Sequence, residues 1–305
     1  MQGTLQHLGF YPTAKLLQAM TSMDLLRLSS VTLFTHMQDH DQHDAARLCR
    51  IQPSLERLVI PGVVAQDSIL CEIGRNLRGL KVLDTYIEEV EAGRPTFLAT
   101  MPNLELLTLR GYVKQPIDFT GFTNPNLRQA RFWYLSFEQA SLPSFLNGSP
   151  NLQLLSLSDC DLTETRFIQP RINLLQTLEL LDGDQIPNKS LLQLITRSPH
   201  LKTLTLNRLP NLDDATFRAV YRALPRLTQL MLEACDGVTV TGGLRHLLIR
   251  WPSALERVEV RSGEDEAVRK LVREVRERLE GFGVRYEGRR LGEGKKSDMR
   301  HQFSR

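Results

Sequence analysis

The sequence predicts an α/β solenoid in which short parallel strands form an inner sheet and helices cover the outer side. Two observations predict it. Leucines recur with the spacing Leu-x-x-Leu-x-Leu along most of the chain, and a proline often stands two residues before the first leucine. A fixed period of about 20 to 50 residues is typical of stacked repeat architectures. One such unit cannot bury its apolar side alone, so the units are expected to stack on one another.

The repeat begins at eleven leucines spaced 20 to 30 residues apart, with a mean period of 25. These first leucines are Leu5, Leu25, Leu55, Leu80, Leu104, Leu127, Leu152, Leu175, Leu201, Leu227 and Leu255. The set predicts one domain of about eleven repeats over residues 1–286. The two spacings at the amino end are the most irregular, so the first two repeats are expected to be the least stable.

Each unit is predicted to run strand, turn, helix, turn. Leu204 and Leu206 alternate with polar residues, which points both side chains to one face of a strand. The next segment, DDATFRAVYRAL, has apolar residues at helical spacing, and Asp213 and Asp214 suit a helix start. Pro225 then ends the helix and sets an extended entry into the next strand.

The carboxyl end of the array is predicted to be capped. An apolar helical stripe at about 264–280 indicates a capping helix, and two glycines then break it. Residues 287–305 are rich in glycine, lysine and arginine and are expected to form a disordered basic tail. No comparable cap precedes Leu5.

The repeats resemble those of leucine-rich repeat proteins of the ribonuclease-inhibitor-like class, and most of all the repeat region of F-box proteins. In the cysteine-containing form of the repeat, a cysteine follows the Leu-x-x-Leu-x-Leu spacing. Two repeats fit this form. One consists of Leu227, Leu230, Leu232 and Cys235. The other, which is one residue shorter after the cysteine, consists of Leu152, Leu155, Leu157 and Cys160. The resemblance implies a horseshoe-shaped solenoid. An F-box itself is not found before Leu5.

The resemblance implies a protein–protein interaction module, namely substrate recognition for an F-box-like ubiquitin ligase receptor. A Skp-type adaptor and a cullin ligase would then be reached through a missing or separate element. A free-standing scaffold or inhibitor without a ubiquitin link is the alternative, and a GTPase activator on the same fold is a further one. The absence of an F-box favours the scaffold, whereas the cysteine-type repeats favour the F-box relative.

Composition excludes several other classes. A hydrophobic share of 41% with 24% charged residues is ordinary for a folded globular chain. The 38 basic and 35 acidic residues leave a net charge of +3, which gives no reason to expect a nucleic-acid or membrane partner. No apolar run has transmembrane length and the amino end lacks the order of a signal peptide, so a cytoplasmic or nuclear location is expected.

A protein-binding site is predicted on the strand face opposite the helices. Tyr86, Arg110 and Trp133 occupy the sixth position after the first leucine in three successive repeats, with Asp84 and Arg131 beside them at the fourth. Adjacent strands lie about 4.8 Å apart, so these side chains are expected to form one patch. Tyrosine, tryptophan and arginine are enriched at binding hot spots. Alternatively, Trp133 packs on its neighbours and Arg110 is solvated.

The remaining candidates are expected to have no chemical role. A second set of strand residues is expected to be a solvated face, namely Arg257, Glu259, Arg261, Met231 and Glu233. His36, His40 and His43 have helical spacing that suits zinc or nickel, but they lie in a polar insertion and we expect no bound metal. No catalytic or cofactor-binding motif is present, so neither enzyme activity nor a cofactor is expected.

Overall fold

One parallel sheet runs through the described part of the chain. The computed structural model describes residues 6–10, 28–33, 41–87, 90, 93–111, 115–163, 172, 174–249 and 255–261. In that part of the chain, eleven strands pair in sequence order, each parallel to the next. They are β1 His7–Phe10, β2 Ser30–Leu33, β3 Arg57–Ala65, β4 Val82–Ile87, β5 Leu106–Arg110, β6 Gln129–Trp133, β7 Leu154–Ser158, β8 Thr177–Leu181, β9 Thr203–Asn207, β10 Gln229–Glu233 and β11 Arg257–Arg261.

The strand register follows the leucine spacing. Leu204 of β9 pairs with Leu178 of β8 on one side and Leu230 of β10 on the other, and all three are buried. The first leucines of the repeats from Leu55 to Leu255 are 0–1% exposed, which confirms the predicted core positions. Leu5, Leu25, the capping helix expected at 264–280 and the tail at 287–305 lie outside the described residues.

Helices follow most strands and bury one side against the sheet. They are α1 Asp41–Ile51, α2 Asp67–Asn76, α3 Ser141–Gly148, α4 Asn188–Thr196, α5 Asp214–Ala223 and α6 Arg245–Ile249, with a 3-10 helix at Thr96–Thr100 and a π-helical turn at Val240–Leu244. The predicted start of α5 is confirmed, because the Asp213 carboxylate accepts a 2.7 Å hydrogen bond from the Thr216 N–H. The pKa of Asp213 is lowered by this bond from the backbone.

One connection departs from the predicted unit. Between β5 and β6 the described residues contain no helix, and phenylalanines fill the core there instead. The Phe119 ring lies 4.9 Å from Phe145 and 5.5 Å from Phe132, and Phe122 stacks on Phe145 at 5.1 Å between centroids. The expectation of an outer helix in every unit is therefore wrong here, since large rings supply the buried apolar area that a helix supplies elsewhere.

A left-handed residue follows each of five successive strands, β6 to β10. Its backbone φ lies between 50° and 62°, a region that costs most L-residues about 1–2 kcal/mol. At three of the five positions the N–H of this residue still donates across the sheet, from Tyr134 to the Ser158 carbonyl at 2.9 Å, from Asp159 to the Leu181 carbonyl at 2.8 Å and from Arg208 to the Glu233 carbonyl at 2.8 Å. The turn thus extends the ladder by one bond before the chain leaves the sheet. The five are Tyr134, Asp159, Asp182, Arg208 and Ala234.

Candidate functional site

The five residues predicted as a binding site lie together on three adjacent strands. Tyr86 of β4 stands opposite Arg110 of β5, which stands opposite Trp133 of β6. Asp84 and Arg131 belong to the next row, with Thr108 between them. All five are partly exposed, whereas the side chains that alternate with them along each strand are buried, so they occupy the open face of the sheet. These five residues are called the β4–β6 patch.

Arg110 is held from both sides. Its guanidinium donates two hydrogen bonds to the Asp84 carboxylate, one from Nη1 to Oδ1 and one of 3.0 Å from Nη2 to Oδ2. Its central carbon also lies 4.8 Å from the centroid of the Trp133 ring, a cation–π geometry. The side chain is only 20% exposed, so most of it is shielded from solvent. Asp84, Arg110 and Trp133 form an ordered stack across β4, β5 and β6.

Burial and nearby positive charge act in opposite directions on the Asp84 carboxylate of the stack. Burial raises the pKa of Asp84, and the nearby positive charges of Arg110, Arg57 and Arg131 oppose that rise without cancelling it. Desolvation disfavours the charged carboxylate, while a forked guanidinium favours it. The ionised state of Asp84 therefore depends on Arg110 remaining in place.

Arg131 differs from Arg110 in having no fixed partner. No hydrogen bond or salt bridge to its side chain occurs within the described ranges. Its row neighbours, Thr108 and Ser156, are 2% exposed and carry no charge. Among the described residues, Arg131 thus offers a guanidinium whose five donors make no hydrogen bond to another side chain, although its positive charge acts on Asp84.

Trp133 is partly exposed and partly packed. One face of its ring meets Arg110, and its indole Nε1 is buried without a hydrogen-bond partner among the described residues. The packing alternative is therefore correct in part, since the ring does contact its neighbour. The Trp133 side chain nevertheless remains partly exposed on the open face of the sheet.

The sequence did not single out Glu179 as part of this face. It lies on β8 in the same row as Arg131, two strands further along, and is partly exposed. No hydrogen bond or salt bridge to its side chain occurs in the part of the chain described above. Its place at the fourth position of the repeat that begins at Leu175 was a signal that could have found it.

The second set of strand residues is not uniformly solvated. Glu259 is 3% exposed and accepts a hydrogen bond from Arg257, so the expectation of a solvated face is wrong at this position. The reason is that the neighbouring arginine covers the carboxylate and pairs with it. Met231 and Glu233 are partly exposed.

The cysteines are core thiols. Burial raises the pKa of Cys160 to about 12, and its Sγ lies 3.4 Å from the Phe132 carbonyl oxygen. Cys235 is buried in the equivalent position, 3.5 Å from the Leu206 carbonyl oxygen, and burial raises its pKa as well. Such thiols are poor nucleophiles at neutral pH.

The histidine insertion is described only in part. His43 is exposed near the start of α1, while His36 and His40 lie outside the described residues. Across the residues that are described, no three histidine, cysteine, aspartate or glutamate side chains come together as metal ligands would. Within the same residues, none of the helices has the length and apolar character needed to cross a membrane.

The fold is also found in solved structures. The chain is similar to one in a complex of TLR13 with ssRNA13, at 17% identity over 84% of this chain and 39% of that one, with a TM-score of 0.51. The present chain has a leucine-rich repeat fold. An internalin (inlF) from Listeria monocytogenes is similar at 16% identity over 81% of this chain and 70% of that one, with a TM-score of 0.49.

A chain of the yeast Rad7–Elc1 complex is similar at 15% identity over 94% of this leucine-rich repeat chain and 82% of that one, with a TM-score of 0.49. No protein-family model matches the sequence, and no curated protein matches it either. At these identities the likeness concerns the fold alone.

Proposed function

We propose that this leucine-rich repeat solenoid is a protein-interaction module and that the β4–β6 patch binds its protein partner. The carrying observation is the ordered stack of Asp84, Arg110 and Trp133 beside Tyr86 on an open sheet face. Rigid aromatic rings and a forked guanidinium are the side chains that dominate binding hot spots. A stack that is already ordered loses little rotamer entropy on binding, which favours affinity.

A protein partner suits the patch better than a nucleic acid does. Arg110 is neutralised by Asp84, and Glu179 adds a negative charge two strands from Arg131. Nucleic-acid surfaces need several unpaired cations to replace the counterions of successive phosphates. One free guanidinium among carboxylates does not supply them, whereas mixed charge beside aromatic rings is typical of a protein interface.

The test begins with affinity purification of the full chain, followed by binding isotherms for the recovered partner. Trp133→Ala is expected to weaken binding by about 2 kcal/mol, the scale of a hot-spot residue. Gln229→Ala is the control, because Gln229 is exposed on the same sheet face in β10, four strands away. The change at Gln229 is expected to cost well under about 1 kcal/mol. Equal small effects from both changes would remove the patch as the binding site.

The finer proposal is that the bound partner is a substrate of an F-box-like ubiquitin ligase receptor. Its support is the cysteine-containing repeat form, in which Cys160 and Cys235 occupy matching core positions. Recovery of a Skp-type adaptor and a cullin together with the partner is the expected result. A partner recovered without them would favour a free-standing scaffold or inhibitor, and a GTPase among the partners would favour a GTPase activator on the same fold.

A further inference from the structure

The charged side chains of one row on the open face indicate what kind of segment the chain binds, provided that the proposed function holds. The fourth position of each repeat forms a row across the sheet, from Asp84 on β4 to Glu259 on β11. Among its described members from β4 onward, the charged side chains are Asp84, Arg131, Glu179 and Glu259. The two outer ones are each paired within the chain, Asp84 with Arg110 and Glu259 with Arg257.

The two inner charges are the ones left for a partner. Arg131 and Glu179 lie two strands apart, which corresponds to about 10 Å at the backbone, and no salt bridge joins them. Ser156 lies between them on β7 and is 2% exposed, so the partner meets the longer charged side chains rather than the strand below. Both charges are partly exposed. Arg131 lies two residues from Trp133 on β6 and Glu179 lies two strands further along, so a segment that runs from the patch across β7 to β8 would cover both.

An uncompensated charge that is covered by a partner is costly unless the partner supplies the opposite charge. We propose that the segment bound by the β4–β6 patch carries an acidic side chain opposite Arg131 and a basic side chain opposite Glu179. The two partner charges are separated by roughly the two-strand spacing, about 10 Å. The row therefore sets both the specificity and the direction in which the segment lies across β6, β7 and β8.

The experiment selects peptides from a random phage-displayed library on the full chain and measures their affinity by fluorescence anisotropy. Peptides whose binding falls in Trp133→Ala are expected to share one acidic and one basic residue at a fixed separation. Arg131→Glu and Glu179→Arg should each weaken them about tenfold, since like charges then face each other. The double variant R131E/E179R should prefer synthetic peptides in which the acidic and basic residues are exchanged.

The matched control is Arg128→Glu, which makes the same charge change three residues earlier at an exposed position before β6. It should leave peptide affinity unchanged, and thermal unfolding of every variant verifies the fold. Peptides that need Trp133 but lack the charge pair and bind R131E as well as the unmodified chain would overturn the charge-pair inference alone. If no selected peptide depends on Trp133, the proposed binding site fails as well.

Discussion

Arg110 connects three strands through its side chain alone. It reaches back to Asp84 on β4 and lies against the Trp133 ring on β6, so one guanidinium orders side chains from three repeats. The carboxylate it holds is only 18% exposed, and burial raises its pKa. Removing the guanidinium would leave this carboxylate partly buried without its counter-charge.

Replacing Arg110 with methionine is expected to destabilise the fold by roughly 1–3 kcal/mol at pH 7, less than for a fully buried pair because solvent screens part of the charge. The loss should be smaller at low pH. Loss of the guanidinium raises the pKa of Asp84 further above its value in the unfolded chain. At a pH between these two pKa values, the folded state holds a proton that the unfolded state has released. Stability of the variant therefore falls as pH rises from the ordinary aspartate pKa through the raised one.

Chemical denaturation from pH 4 to pH 7 checks this pH dependence. The double variant D84N/R110M carries no carboxylate at position 84 and should lose the pH dependence, which identifies Asp84 as the titrating group. A destabilisation by R110M that is the same at both pH values would show that packing against Trp133, and not charge, is what Arg110 contributes.

Residue spacing placed all five members of the patch correctly, because alternation along a strand assigns each side chain to one face. It did not assign their partners. Arg110 lies opposite both Tyr86 and Trp133, and the groups that its guanidinium contacts depend on side-chain conformation and neighbouring burial. The burial of Glu259 beneath Arg257 was misjudged for the same reason, whereas Glu179 was missed although its repeat position indicated the open face.

Helices of adjacent repeats are joined by an aspartate at the start of α5. Asp214 accepts hydrogen bonds from the Thr239 N–H at 2.8 Å, the Thr239 hydroxyl at 2.7 Å and the Gly243 N–H at 2.7 Å. A Cβ at Gly242 would lie 2.0 Å from an Asp214 carboxylate oxygen, so glycine is required for this approach. The aspartate thereby caps the π-helical turn of the next repeat.

Asp214→Ala is expected to lower the free energy of unfolding by about 1–3 kcal/mol, because three donors lose a charged acceptor. Urea denaturation measures the change. Asp236→Ala is the control, since Asp236 is exposed in the connection that leads to the same turn. Equal effects from the two changes would mean that Asp214 contributes through general surface charge rather than through the cap.

Element types were predictable where the apolar spacing was regular, as in α5 and the strands before and after it. The helix-free connection between β5 and β6 was not, because the rings of Phe119 and Phe145 fill the core only when β6 and α3 come together around them. Three of the left-handed turns after β6 to β10 were also hidden, since tyrosine, arginine and alanine give no signal for positive φ, unlike the aspartates at the other two.

At the scale of the whole molecule, each strand depends on its neighbours. In the described sheet β1 pairs with β2 alone, while β9 lies between β8 and β10. The residues of β1 are partly exposed or exposed where their burial is described, and Leu204 of β9 is fully buried. Stability in such an array is a sum over neighbouring units, so the sheet should be graded.

Hydrogen exchange is expected to be at least about tenfold faster at the amides of β1 than at those of β9, because local opening frees a strand held on one side more easily. Mass spectrometry of peptides that cover His7–Phe10 and Thr203–Asn207 measures the ratio. Equal protection of the two strands would contradict the gradient and would mean that β1 is covered on its other side.

The leucine spacing by itself determined the repeat, the order of the strands and the face on which each side chain lies, because backbone alternation and the need to bury one face leave a single stacking arrangement. The tertiary structure alone decided which charges are neutralised. Asp84 and Arg110 are 26 residues apart in sequence. Arg131, two strands from Asp84 in the same row, is a second guanidinium whose charge acts on that carboxylate. The choice between them depends on side-chain geometry and desolvation across strands, which a periodic pattern does not encode.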